Sequence, residues 1–435
     1  MTRARKWLRN AAIALLLVWV GAYAVDRLVL TFPCPPCHTE QTRALPRLGA
    51  KTVAGLVRIP ANGMEFRSRV AGLNNRGGDG VIFLHGYPET SIMWEPVIAR
   101  LAEEGFRVIA FDQRGYSPGA RPGSTSSYSV DKLVSDVIAI ADAAPFTRFH
   151  LVGHDWGGIV AWATAIHHPD RVATLTSLSM PHPAAYKEAF AEGADQLKRS
   201  SYVLLNWIPG VSEFILGFNN ASYLRRFSWR DKPSAQREEY VRVFSEKGAL
   251  RAVLNWYRAL GIFADPPLGK TRQPTLFLWG YQDKSLSRIG AEKTADFVAG
   301  PYRFHKLAGG HALMVEEPDT VSDAILAHLQ SWKIKNNLAG KRPPELADGS
   351  GTFDCSTSKP HCIEIGVAPN GEHIRIWNRC ERRLKASIEL TCSAWEPGVT
   401  LSYEFDLGPG SSMLRDATDF DYGECYHKRK VCLAN

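Results

Sequence analysis

The chain has 435 residues, 45% hydrophobic and 22% charged, which excludes a mostly disordered chain, a collagen-like repeat and a polytopic membrane protein. At roughly 150 residues per domain, one large domain with appendages is expected. The net charge of +8 (52 basic, 44 acidic residues) does not mark a nucleic-acid partner. Arg3, Arg5, Lys6 and Arg9 supply half of it, no acidic residue precedes Asp26, and residues 351–435 hold 10 basic against 12 acidic residues.

The basic start leads into an uncharged apolar run, Ala11 to Val25. A run shorter than the ~20 residues of a membrane span suits the h-region of a secretory signal. Ala22-Tyr23-Ala24 offers a cleavage site. The other outcome is an uncleaved signal-anchor running on through Leu28 to Phe32. Residues 1–33 are therefore read as signal peptide or signal-anchor, with 11–32 as a possible membrane anchor. Both outcomes export the rest of the chain, to a periplasmic or secreted location. The cysteines agree: all eight lie outside residues 38–354, and an even number clustered in a short tail reads as a disulfide framework in an oxidising space.

A linker, 34–51, precedes a stretch in which β-branched runs alternate with helical patterns, the signature of parallel βαβ units. Strands are expected at Val81–Leu84, Phe106–Phe111, Arg148–Val152 and Val172–Leu178. Helices are expected around Ile92–Leu101 and over Val130–Ala143 and Gly158–His167. Residues 181–265 keep helical periodicity and many aromatics without a clear strand, so they read as a helical insertion. Strand character returns at Thr275–Trp279 and Tyr302–Leu307, and Pro318–Trp332 is a closing helix. This places one α/β domain over 52–180 and 266–333. A Pro- and Gly-containing linker, 334–351, then leads to a tail, 352–435, with short strands at Ile363–Val367, His373–Trp377, Ala386–Leu390 and Thr400–Phe405.

Gly153-His154-Asp155-Trp156-Gly157-Gly158 falls between a strand and a helix. Such a turn projects its central side chain from the carboxyl edge of a sheet, and flanking glycines remove the Cβ atoms that would clash. The projected residue is aspartate. A carboxylate attacks saturated carbon by displacement and leaves an alkyl-enzyme ester that water must hydrolyse. His311, after the last strand, is placed in chain order to activate that water, and Asp283, after the preceding strand, to orient the imidazole. Asp112, after the Phe106–Phe111 strand, is the alternative acid.

With His85-Gly86-Tyr87-Pro88, Asp112-Gln113-Arg114-Gly115-Tyr116-Ser117, the Asp155 turn and Gly310-His311 in this order, residues 52–333 resemble α/β-hydrolases of the epoxide hydrolase type. The resemblance implies an α/β-hydrolase fold, a mostly parallel doubly wound sheet with a helical cap at 181–265. It implies that the backbone N–H groups of Tyr87 and Trp156 form an oxyanion hole. It also implies two cap tyrosines that protonate the epoxide oxygen: Tyr257, in Asn255-Trp256-Tyr257-Arg258, and Tyr202, seven residues before Pro209. A phenol, with a pKa near ~10, is protonated at rest and suits that task. No cofactor or metal is implied. The expected substrate is a small apolar epoxide, opened to a vicinal diol.

Two other functions remain open at this point. Haloalkane or haloacetate dehalogenases share the aspartate nucleophile, but halide release needs N–H donors rather than a proton source. Where one dehalogenase group has Asn this chain has Tyr87, and where haloacetate enzymes have Arg it has Trp156. The second is a non-catalytic surface recognition protein on a hydrolase scaffold, against which the intact Asp155, Asp283 and His311 argue. Cys34-Pro35-Pro36-Cys37-His38 fits the haem-attachment pattern, but no helical haem domain accompanies it, so a disulfide is expected instead. The tail is expected to be a small disulfide-rich β module with up to three bridges, whose six cysteines allow 15 pairings.

Overall fold

The structure, a computed structural model, describes residues 38–259 and 269–339, single positions at 13, 17, 20 and 21, and six strands between 363 and 434. It separates into two compact units, Met1–Lys341 and Arg342–Asn435. The first is built on an eight-stranded sheet in the order β1-β2-β4-β3-β5-β6-β7-β8. Its strands are β1 Gly55–Ala61, β2 Met64–Ala71, β3 Gly80–Leu84, β4 Arg107–Phe111, β5 Phe149–His154, β6 Val172–Leu178, β7 Thr275–Gly280 and β8 Tyr302–Leu307. From β4 to β8 every pairing is parallel. The antiparallel β1–β2 hairpin extends the β4 edge. Its two-residue turn, Asn62-Gly63, has positive φ at both positions, which suits the right-handed twist of a hairpin.

The parallel strands are apolar on both faces because helices cover both. Ile82, Leu84, Ile109 and Phe111 share one core with Leu133, Val137, Ile140, Val160 and Trp162. Val81, Phe83, Val108 and Ala110 share another with Val97, Leu101, Val321, Ile325 and Leu329. Register explains the sorting, since Val81 pairs with Val108 and Ile82 with Ile109. The helices in chain order are α1 His38–Ala44, α2 Glu95–Glu103, α3 Val130–Ala143 and α4 Trp156–His167. Between β6 and β7 stand α5 Pro183–Ala191, α6 Ala194–Arg199, α7 Tyr202–Asn206, α8 Val211–Phe227, α9 Ser234–Phe244 and α10 Ala249–Ala259, the helical insertion expected from periodicity. Within α8 the backbone leaves helical geometry from Phe218 to Ala221. After β7 come α11 Arg288–Lys293, α12 Leu313–Glu316 and α13 Pro318–Ala339.

The insertion is fastened to the sheet by a buried charge cluster. Glu239 of α9 accepts hydrogen bonds from Arg67 Nη2 and Arg69 Nη2 of β2, each at 2.6 Å, and from Thr90 Oγ1 at 2.5 Å. Arg67 also donates to Asp112 at 2.8 Å, whose other oxygen takes the Ser91 N–H and hydroxyl. Asp112 is thus committed to this cluster rather than to His311. Burial alone would raise the Glu239 carboxyl; Arg67 and Arg69 outweigh it and bring it down to about 2.

In the second unit six strands form two antiparallel three-stranded sheets, β13-β10-β9 and β12-β11-β14. They are β9 Ile363–Val367, β10 His373–Asn378, β11 Leu384–Thr391, β12 Thr400–Leu407, β13 Ser412–Asp416 and β14 Arg429–Ala434; the last two were not foreseen. Ala386, Ile388 and Leu390 of β11 pair with Phe405, Tyr403 and Leu401 of β12 and with Leu433, Val431 and Arg429 of β14. The expected disulfides and most of the apolar segment Ala11–Val25 lie outside the described residues. Among the described residues no helix is long and apolar enough to cross a membrane.

Removing one partner of a buried ion cluster strands the others, at a cost of roughly 3–5 kcal/mol. Glu239→Gln should lower the unfolding free energy by about that amount in urea titrations. Because the carboxyl is depressed, its stabilisation is complete above the usual 4.5 and is lost as pH falls toward about 2. The variant should lose this share of the acid-dependent destabilisation, and an unchanged acid profile would contradict the assignment.

Candidate active site

β5 ends at His154 and α4 begins at Trp156, leaving Asp155 alone in the turn with φ 51° and ψ −122°. A non-glycine residue held there is strained, and the surrounding contacts must over-determine it. Gly157 packs so closely beneath the turn that a Cβ would fall 2.3 Å from the Leu84 carbonyl oxygen. A Cβ on Gly86 would meet the Asp155 Cβ at 2.5 Å, so the loop after β3 can pass the nucleophile only as glycine.

That close passage brings the Tyr87 N–H to Asp155 Oδ1 at 2.9 Å. The other oxygen, Oδ2, lies 3.3 Å from His311 Nε2. His311 Nδ1 is 2.8 Å from Asp283 Oδ2, and Asp283 Oδ1 accepts the N–H groups of Ser285 and Leu286. The carboxylate at 155, the imidazole and the carboxylate at 283 are therefore in line, as chain order led us to expect. Asp155 is only 7% exposed. Burial opposes its ionisation, but His311 and the Tyr87 N–H outweigh that and lower its pKa. Burial likewise opposes a charged imidazole, yet Asp283 and Asp155 together hold His311 well above its usual range.

Tyr257 reaches the same place from α10. Its neighbours are all tied down: Trp256 Nε1 donates to the Arg114 carbonyl at 2.7 Å, and Arg258 forms a two-pronged pair with Glu213 at 2.7 and 3.0 Å. Between them the Tyr257 ring meets the Tyr87 and Trp156 rings edge-on, with centroids 5.3 and 4.8 Å apart. Tyr202, at the start of α7, is 44% exposed, and its phenol lies in the field of Asp155 and Tyr257. Burial pushes both phenols well above their ordinary range. Trp156 opens α4, so its N–H is one of the donors left unpaired by helix geometry.

Sequence reasoning missed a second buried row behind the first. His154 Nε2 is 2.9 Å from the His311 carbonyl oxygen, its Nδ1 lies 3.2 Å from Glu89, and Lys232 of the insertion pairs with the same carboxylate. Arg199 of α6 donates to the Asp283 carbonyl, and Gln196 bonds Ser285 and Ser287 around it. His154 could have been suspected from its place beside Asp155; Lys232 and Arg199 carry no local signal. Among the described residues no cluster of His, Cys, Asp and Glu is arranged to hold a metal ion.

A family model described as alpha/beta hydrolase fold matches residues 80–318. The chain is 34% identical to epoxide hydrolase 4 of Mus musculus over 63% of its own length and 79% of that protein. It is 29% identical to epoxide hydrolase A of Mycobacterium tuberculosis, covering 64% of this chain and 98% of that one. Among solved structures, epoxide hydrolase A from Mycobacterium thermoresistibile superimposes with a TM-score of 0.55 at 26% identity, over 64% of this chain and 98% of that one.

The charge balance around His311 can be read directly. Asp155→Asn should lower the pH at which the His311 ring titrates, and Asp283→Asn should lower it further, because Asp283 raises it more strongly. NMR titration of the imidazoles, assigned with His311→Gln, measures both. A His311 titration indifferent to Asp155 would break the proposed row.

Proposed function

The chain belongs to the epoxide hydrolase-like branch of the α/β-hydrolase fold family, and on that footing we propose that it opens an epoxide to a vicinal diol through an ester on Asp155. The observation that carries the reading is the arrangement around Asp155: one oxygen held by the Tyr87 N–H, the other beside His311, and the Tyr257 ring packed on Tyr87 and Trp156. Halide release would need donors but no acid. Two protonated phenols beside the nucleophile favour an epoxide, whose opening leaves an alkoxide.

In this reading Asp155 Oδ2 attacks an epoxide carbon, the C–O bond breaks, and the alkoxide takes a proton from Tyr257 or Tyr202. Esterification removes the Asp155 charge, one of the two that hold the proton on His311, so the imidazole becomes more acidic and its proton replaces the one the tyrosine gave. Neutral His311 then takes a proton from water, whose oxygen adds to the ester carbonyl. The resulting oxyanion on Oδ1 is held by the Tyr87 N–H and, as we assign it, the Trp156 N–H; one such donor is worth about 10²–10³ in rate. Collapse expels the diol alkoxide, which is neutralised by the new Asp155 carboxyl proton. His311 is left protonated and Asp155 ionised, as at the start.

The tyrosines share one task, so either Tyr257→Phe or Tyr202→Phe should cost less than the pair together, whose loss is expected to lower kcat by roughly 10²–10⁴. A single turnover in ¹⁸O-water should place the label in Asp155, and His311→Gln should accumulate a protein adduct of the epoxide's mass. Label found only in the diol would overturn the covalent route. Asp155→Ala should be inactive toward any epoxide.

We further propose that the chain is exported, either cleaved near Ala24 or anchored by residues 11–32, and that residues 352–435 are stapled by disulfides. The basic stretch before Asn10, the apolar run and the confinement of cysteine outside 38–354 support this. Alkylation of the natively produced protein should find few free thiols before reduction and several after; eight free thiols at the outset would reject the stapled tail.

A further inference from the structure

The outer face of the helical insertion carries features that the chemistry at Asp155 does not use. Side chains between Ser222 and Arg242 line an open cleft of about 840 Å³ whose wall includes Arg225, Arg226, Arg230, Arg237 and Arg242 and one carboxylate, Glu238, while Arg230 is also paired with Asp231. Such a cleft concentrates positive potential and attracts phosphate-bearing ligands. Large apolar side chains project beside it. Phe227 is 66% exposed and Phe218 57%, and the Arg226 guanidinium lies over the Phe227 ring at 5.7 Å. Tyr223 packs on Phe227 with ring centroids 4.7 Å apart.

Further apolar side chains are exposed on and just after α7. Leu204, Trp207 and Ile208 are exposed, and Trp207 Nε1 donates to the Tyr257 carbonyl at 2.8 Å. Tyr202, also exposed, opens the same short helix, α7. A free phosphate or a nucleic acid would explain the arginines but would leave this apolar rim facing water. Arginines beside outward aromatic and aliphatic side chains are what a protein presents to the boundary between lipid headgroups and acyl chains.

We propose that this face docks on an anionic lipid bilayer, the arginines taking lipid phosphates and the apolar side chains entering the acyl boundary, so that the epoxide reaches Asp155 from the membrane. The substrate class is then a lipid-borne epoxide. That second half rests on the epoxide-opening reading, while the docking does not.

Hydrogen–deuterium exchange on the full chain localises the contact independently of the N-terminal apolar segment. Residues 204–242 should be protected by vesicles of phosphatidylcholine with phosphatidylglycerol and much less by phosphatidylcholine alone. Each basic residue near an anionic surface is worth about fivefold in partitioning, so Arg225→Glu with Arg226→Glu should cut that preference by roughly tenfold or more. Phe227→Ser should weaken protection while leaving turnover of dissolved styrene oxide unchanged. An epoxidised acyl chain carried in anionic vesicles should be turned over faster than in neutral ones, and the arginine variant should lose that gain.

No protection of this segment would overturn the docking. So would protection by inorganic phosphate or an oligonucleotide without vesicles. Protection already present before vesicles are added would mean that protein covers this face, and would overturn it as well. Vesicle protection with no turnover of either substrate would leave docking supported and reject the epoxide reading.

Discussion

Everything around the candidate site depends on keeping a carboxylate ionised where water barely reaches it. A buried unpaired charge is expensive, and the usual outcome is that the group takes a proton and stops being a nucleophile. Here the remedy is positional. The turn after β5 forces Asp155 into a backbone conformation that aims one oxygen at the Tyr87 N–H and the other at His311. The imidazole is in turn held by Asp283. Two carboxylates on one imidazole leave net negative charge in the row, which in the proposed route favours attack on an electrophile and holds the proton on His311 until the ester forms.

The same constraint explains why the helical insertion is fastened with buried charge rather than with apolar packing alone. Lys232 pairs with Glu89, Glu239 with Arg67 and Arg69, and Trp229 Nε1 donates to the Pro88 carbonyl at 2.8 Å. Three of these partners, Pro88, Glu89 and the Thr90 hydroxyl, belong to the segment that starts at Gly86 and carries the Tyr87 N–H. An apolar interface would tolerate sliding; hydrogen-bonded charge pairs have one good geometry and fix the register between the insertion and the loop. The donor and the tyrosines above it are thereby set relative to the same carboxylate.

Much of the sheet was legible because inner parallel strands buried on both faces are plain apolar runs, and the ends of β6 fall where its run ends. The hairpin before β3 was not singled out, although Asn62-Gly63 is a strong local sign; its strands mix arginines with apolar residues. Arg67 and Arg69 look like surface residues in the sequence, and only their burial against Glu239 reveals otherwise. The in-line row of Asp155, His311 and Asp283 could be read because each follows a strand. The His154–Glu89–Lys232 row could not, since a pairing across 143 residues leaves no periodic trace.

Helix α9 shows how far pattern alone can mislead. Its inner residues are Gln236, Glu239, Tyr240, Val243 and Phe244, at helical spacing but with two of the five polar, while Arg237 and Glu238 stand outside. Apolar periodicity alone would not place Glu239 inside, because that position satisfies arginines while Tyr240, Val243 and Phe244 of the same face fill the core. Once Glu239 turns inward to β2, the helix pitch leaves Arg237 on the other side, lining the cleft. The charge cluster that fixes the insertion thus also turns Arg237 outward. This interaction helps set both surfaces of α9, so a change that loosened Glu239 would disturb both the placement of the tyrosines and the basic face above them.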